Sequence, residues 1–105
     1  MTKLSNLNDV LRQTFQGGKI MKTCSVAALD PDTQARVLQA MRTFSDFNED
    51  NDPHGEHDCA LFEVDGEQFM FKIDAYDKDM EYGSEDPADP TKTTRVLTLM
   101  LPSDY

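Results

Sequence analysis

Residues 59–74, CALFEVDGEQFMFKID, are two short runs rich in apolar side chains separated by Asp65-Gly66, and no other stretch constrains the fold as much. Asp-Gly accepts the positive φ angles of a tight two-residue turn, so the runs are expected to fold back on one another as a β-hairpin. Pairing about that turn sets Phe62 opposite Phe69 and Ala60 opposite Phe71, with Val64 and Ile73 extending the same face. That face is predicted to be core. The other mixes Cys59, Leu61 and Met70 with Glu63, Gln68 and Lys72, and is expected to be only partly covered.

The rest of the chain supplies what such a hairpin packs against. Leu4, Leu7, Val10, Leu11 and Phe15 recur three and four apart, which predicts a helix over 4–15 with one apolar face, ended by the left-handed conformation that Gly17-Gly18 allows. Residues 19–26 read as a short strand. Asp30-Pro31 is a helix start: the carboxylate caps free amides, and proline at the first helical position loses no needed donor. The helix over 31–46 that follows shows an apolar face of Val37, Leu38, Met41 and Phe44, continued by Phe47. Residues 48–58 and 75–93 are polar loops, the second with two Asp-Pro steps that disfavour helix. Residues 95–101 alternate and close the chain as a strand. The expected architecture is α+β, a single domain over 1–105 in which two helices pack on one face of a roughly four-stranded antiparallel sheet.

Charge is unevenly distributed. Residues 46–105 hold 17 of the 20 acidic side chains but four of the ten basic ones, Lys72, Lys78, Lys92 and Arg95, for a net −13 against +3 in residues 1–45. Such a field repels nucleic acid and anionic membranes and speeds encounter with a basic partner. With 38% apolar residues and six Phe the chain still has the means to fold, unlike a disordered acidic tail. The start Met1-Thr2-Lys3-Leu4 lacks the apolar stretch of a leader, and no run reaches the ~20 apolar residues of a membrane span. Cys24 and Cys59 sit in apolar runs without CxxC spacing and read as reduced, buried, inert thiols, so a cytoplasmic, monomeric protein is expected.

The densest concentration of reactive side chains is 50–58, DNDPHGEHD, with two imidazoles and four carboxylates. As a calcium loop it fails, because His54 stands at the fifth position and Leu61 at the twelfth, where a bidentate Glu belongs. As a transition-metal site, His54 and His57 lack a third ligand at a recognised spacing. The residue types favour an ordered turn whose short polar side chains bond the loop's own backbone, with the histidines tied to neighbouring carboxylates. Gly83-Ser84-Glu85 lacks a nucleophile elbow, and no phosphate loop is present. Carboxylates are so abundant that their proximity carries no catalytic meaning. Their clustering points instead to a surface for a basic partner: residues 46–58 hold six acids and no Lys or Arg, and residues 74–89 hold seven acids and one Lys. Like charges crowded into a small fold repel one another, which argues for a reason to keep them. Carboxylates on alternate strand positions stand ~7 Å apart, comparable with phosphates along DNA, so a rigid surface of this kind can occupy a Lys/Arg channel made for DNA.

The run Asn51-Asp52-Pro53-His54-Gly55-Glu56-His57-Asp58, the segment Phe71-Lys72-Ile73-Asp74-Ala75-Tyr76-Asp77, and the ending from Gly83-Ser84-Glu85-Asp86-Pro87-Ala88-Asp89-Pro90 through Thr94-Arg95-Val96-Leu97-Thr98-Leu99-Met100-Leu101 resemble a small acidic bacterial and mobile-element family of unknown function. Leu7-Asn8-Asp9 with Gly17-Gly18 fits it too, so the likeness covers nearly the whole chain. The chain is also similar to a member recruited as an anti-CRISPR protein against a type I-C Cascade complex. What the resemblance implies is a non-enzymatic inhibitor, without cofactor or metal, that binds the basic surface of Cascade rather than nucleic acid or membrane and blocks target DNA by mimicry. The residues expected to face that partner are Asp50, Asp52 and Glu56 from the first loop and Asp77, Asp79, Glu81, Glu85 and Asp86 from the second. The alternatives are a small metal-dependent enzyme using His54 and His57, and an antitoxin-like acidic module for another basic partner.

Overall fold

The structure is a computed structural model that describes residues 3–105; Met1 and Thr2, part of the segment read for a leader, lie outside the described residues. The elements in chain order are α1 (Lys3–Thr14), β1 (Gly18–Lys22), α2 (Cys24–Ala27), α3 (Pro31–Thr43), β2 (Cys59–Val64), β3 (Glu67–Tyr76), β4 (Thr94–Met100) and a closing 3₁₀ turn (Pro102–Asp104). The hairpin forms in the expected register, Phe62 opposite Phe69 and Ala60 opposite Phe71. Asp65 (φ 54°) and Gly66 (φ 84°) both take the left-handed conformation that the turn demands.

The sheet order is β1-β4-β3-β2. Its two β3 pairings are antiparallel, but β1 runs parallel to β4, so the sheet is mixed where an all-antiparallel one was expected. Parallel neighbours need a long crossover, and everything between β1 and β4 serves as one. Gly18 allows this contact: a Cβ there would stand 2.5 Å from the Arg95 carbonyl oxygen of β4.

One core cluster lies between the sheet and the helices. Ala60, Phe62, Phe69, Phe71, Ile73, Leu97 and Leu99 come from one sheet face, Leu11 from α1, Val26 from α2, and Val37 and Met41 from α3. Burying a side chain of the size of these phenylalanines contributes about 1.5–3 kcal/mol each. Phe44 and Phe47 extend the cluster, meeting edge-on with centroids 4.9 Å apart.

Three local expectations change. The strand read over 19–26 stops at Lys22, and α2 turns Val26 into the core while leaving Cys24 exposed, so Cys24 is not a buried strand thiol. The helix read over 31–46 ends at Thr43, because Phe44 becomes extended (φ −60°, ψ 132°) and folds its ring over the sheet. α1 is turned from its apolar stripe: Ser5, Asn8, Leu11 and Arg12 are buried, and Val10 is 49% exposed. Its left-handed end is Phe15 (φ 63°), with Gly17 (φ 94°) shaping the entry to β1. Both thiols are free. Among the described residues no helix is long and apolar enough to cross a membrane.

Candidate functional site

The polar face of α1 organises both acidic loops. Arg12 is 1% exposed, yet it is a cation in the core. Its Nη1 donates to the carbonyls of Met41 (2.9 Å), Arg42 (3.2 Å) and Phe44 (2.7 Å) at and just past the end of α3, where the Met41 carbonyl otherwise receives the long 3.4 Å bond from the Phe44 amide. Its Nη2 donates to Asp9 Oδ1 at 2.9 Å. The guanidinium lies over the rings of Phe47 (5.4 Å) and Phe71 (5.6 Å). Arg12 therefore caps α3 from α1, with Asp9 as its counter-charge.

Asp9 also receives the first loop. His57 Nδ1 stands 3.0 Å from both Asp9 oxygens, and the imidazole stacks on Phe47 with centroids 4.0 Å apart and planes 4° from parallel. Asp52 binds the loop from within, Oδ1 accepting from the Glu56 amide and Oδ2 from the His57 amide, both at 3.1 Å. Asn48 Oδ1 accepts from the amides of Asp50 and Asn51, and Asn51 Oδ1 from the amide of Asn48. Residues 46–58 thus form an ordered loop that bonds its own backbone, as the turn-forming composition suggested. His57 is the histidine that ties it down. His54 is exposed and lines a shallow cleft with Glu49 and Pro53. Among the described residues no group of three or more His, Cys, Asp or Glu is placed to hold a metal ion.

A second buried bridge joins the two loops. Asn8 Nδ2 donates to the Glu56 carbonyl at 2.9 Å, and Asn8 Oδ1 accepts from Arg95 Nε at 3.1 Å. Arg95 Nη2 in turn donates to the Pro87 carbonyl. Burial pushes the Arg95 pKa down from its ordinary value. The chain Glu56, Asn8, Arg95, Pro87 runs from one acidic loop to the other, and Glu56, Asp58 and Asp74 meet around the small cleft above it.

The second loop carries its own ties. The Asp77 amide donates to the Tyr82 carbonyl, the Glu81 amide to Asp77 Oδ1, and the Ser84 amide to the Ala75 carbonyl. Ser84 Oγ and Thr93 Oγ1 are 2.6 Å apart, and Thr93 donates to the Asp86 carbonyl. Asp86 Oδ1 accepts from the Ala88 amide. Hydrogen bonds from the Thr91 hydroxyl and amide lower the Asp89 pKa. The loop is pinned at both ends and along its length.

The eight acids expected to face a partner divide accordingly. Asp79, Glu81 and Glu85 are exposed, with carboxylates that meet no partner among the described residues. Asp50 is exposed on the first loop, and Glu56 is half-buried beside Asn8. Asp77 and Asp86 accept loop amides. Asp52 departs from expectation: it is 8% exposed and both its oxygens are used within the loop, so it builds the surface rather than lining it. The sequence reading passed over Asn8, Asp9, Arg12 and Arg95. A signal was present for two of them, since Asn8 and Arg12 follow Ser5 three and four apart beside Leu11, a polar stripe at helical spacing.

No curated protein and no solved structure matches the chain. A family model does match, over residues 22–104, which span α2 to β4 and both acidic loops: the chain belongs to DUF3768, a family of proteins of unknown function.

Proposed function

We propose that this DUF3768 protein is a non-enzymatic anti-CRISPR inhibitor that presents carboxylates to the basic DNA-binding surface of a type I-C Cascade complex and competes with target DNA. One observation carries the reading: Asp79, Glu81 and Glu85 stand exposed and unpaired on a loop held in one shape by its own hydrogen bonds and by Arg95. A loop backbone already held in place loses little freedom on binding, which separates a mimic from a flexible acidic tail. The likeness to a recruited inhibitor supplies the partner, and the charge supplies its chemistry. Each acid would meet Lys or Arg on the partner, with encounter slowing as salt rises.

The test is competition. Purified Cascade is titrated with target duplex in the presence of the wild-type protein or of a variant carrying Asp79→Lys, Glu81→Lys and Glu85→Lys. The wild type is expected to displace DNA, and the variant to lose at least about tenfold in potency while keeping its circular dichroism spectrum. Equal inhibition by the two proteins, or binding that leaves DNA bound, sinks the proposal.

A further inference from the structure

β2 is one rim of the sheet, and its free edge is prepared for another strand. The register from Cys59 opposite Lys72 to Val64 opposite Glu67 is continuous. The Ile73 amide donates to the Asp58 carbonyl at 2.7 Å. Paired residues alternate in an antiparallel ladder, so Asp58, Ala60, Phe62 and Val64 spend their backbone groups on β3. The amides and carbonyls of Cys59, Leu61 and Glu63 point the other way, and no backbone group among the described residues pairs with them.

Proteins guard such rims with lysine, proline or a bulge. The opposite rim obeys: β1 carries Lys19 and Lys22. β2 has none of the three, and its one charged side chain, Glu63, guards the rim against acidic strands and not against basic ones. Leu61, on its solvent face, is 51% exposed beside a cleft of about 610 Å³ lined by Asp50, Cys59, Met70, Pro102 and Tyr105. Apolar surface and unpaired backbone thus share one rim. Asp50 at the lip of the cleft and Glu63 one solvent-facing position beyond Leu61 have no ion-pair partner among the described residues.

Charge selects the occupant. A second copy pairing along this rim would bring the Glu63 side chains and the net charge of −10 of two chains together, and crowded like charges are destabilising. A small apolar ligand would fill the cleft but leave the rim's hydrogen bonds unmade. We propose that the β2 rim takes an extended segment of the inhibited partner as a fifth strand, with the pattern basic-x-apolar-x-basic. The apolar residue enters the cleft against Leu61 and Met70. The flanking cations, about 7 Å to either side, meet Glu63 and Asp50. The acidic loops then govern encounter and the rim governs residence.

This inference rests on Cascade being the partner, and its test keeps the two apart. Binding to purified Cascade is measured for the wild type, the loop variant above, Glu63→Gln and Glu63→Pro. Proline at 63 removes an amide that faces away from β3, so the ladder survives while an added strand loses a donor and meets the ring. Glu63→Pro is expected to weaken binding about tenfold or more, and Glu63→Gln a few-fold. A wild-type protein that does not bind Cascade refutes the proposed function and this inference with it. If instead the wild type binds, the loop variant does not, and Glu63→Pro matches Glu63→Gln, the loops stand and the rim proposal is overturned. Should the proline disturb the fold, amide exchange in the wild type decides: residues 59–64 must slow on binding Cascade, and unchanged exchange there overturns the proposal. A wild-type dimer in sedimentation that Glu63→Gln strengthens by removing like-charge repulsion would make the rim a self-interface and overturn it equally.

Discussion

Arg12 is the most exacting place to test this account of the fold, because a cation at 1% exposure must be worth its desolvation. The informative change is Arg12→Met. Methionine keeps an unbranched apolar stem between Phe47 and Phe71, so packing is largely held while the guanidinium is removed. What is lost is specific. The carbonyls of Met41 and Phe44 lose bonds of 2.9 and 2.7 Å, that of Arg42 a weaker one of 3.2 Å, and Asp9 loses its 2.9 Å counter-charge. Hydrogen bonds to charged groups contribute about 1.5–3 kcal/mol each, which sets an upper bound of about 12 kcal/mol for these four. Water at the exposed Arg42 recovers part of that, and His57 still partners Asp9. The cost that remains is about 3–5 kcal/mol, the range for breaking one side of a buried pair. This is a large share of the ~5–15 kcal/mol that a domain has. Urea unfolding followed by circular dichroism should show the midpoint falling by more than about 1 M, since slopes for small proteins are about 1–3 kcal/mol per M. Adding Asp9→Asn to the variant should recover part of the loss by removing the stranded charge. A loss under about 1 kcal/mol for Arg12→Met alone would refute the reasoning and show that packing, not the cap, holds α1 to α3.

Three further outcomes are expected. Desolvation by partial burial, helped by neighbouring Asp58, raises the Cys59 pKa, so iodoacetamide at neutral pH should modify exposed Cys24 first by mass spectrometry, and comparable rates would contradict the shielding of half-buried Cys59. The Asp104 carboxylate accepts from the Thr23 hydroxyl, the Leu101 amide and the Ser25 hydroxyl, which together lower its pKa below 3.8. A depressed carboxylate stabilises the fold above its unfolded value and loses that contribution as pH falls through the folded one. The closing turn should therefore release only as pH falls below the ordinary carboxylate range, Asp104→Asn should release it already at pH 7, and Tyr105 chemical shifts will report both. Gly18→Ala should cost about 1–3 kcal/mol and lower the melting temperature, because the new Cβ meets the Arg95 carbonyl oxygen, and an unchanged melting temperature would place β1 wrongly against β4.

The hairpin was legible because Asp65-Gly66 and the alternation of Phe62, Phe69 and Phe71 are local signals that tertiary structure had no reason to override. The N-terminus of α3 was legible for the same reason: Asp30 accepts from the Thr33 amide at 2.7 Å, as its place before Pro31 suggests. The direction of β1 was not. Its five residues pair with β4 across most of the chain, and alternation reports faces, not which neighbour a strand finds. The rotation of α1 was hidden by a habit of reading: an apolar stripe is taken as the buried one, whereas Asn8 and Arg12 are buried because α3 and the loops offer them partners. For the candidate site, the exposed acids could be named from sequence, but Asp52 could not be told from Asp50. The two differ by two positions and by everything that surrounds them.

The bridge through Asn8 explains how so acidic a surface keeps its shape, and it makes the sharpest link between fold and function. In residues 46–105 there are four cations. Arg95 is spent inside, and Lys72 is paired with Asp74 at 2.9 Å, which raises the Lys72 pKa. Lys78 and Lys92 alone remain to offset the exposed acids of the second loop. Repulsion within that loop must then be resisted from beneath, by Arg95 holding the Pro87 carbonyl while Asn8 holds Arg95. Asn8→Ala leaves Arg95 Nε buried without its acceptor and releases the Glu56 carbonyl, a cost of about 1–3 kcal/mol. Much of it should appear locally, as faster amide exchange over 77–93 and 53–58 with the β-hairpin unchanged. Salt offers the discriminating control. If charge repulsion is what the bridge opposes, raising ionic strength toward 1 M, where screening acts within about 3 Å, should slow exchange in the variant back toward wild type. The wild-type loops should respond little. Fast exchange that salt does not correct would mean the loops loosen from lost packing, and the charge argument for the bridge would fall.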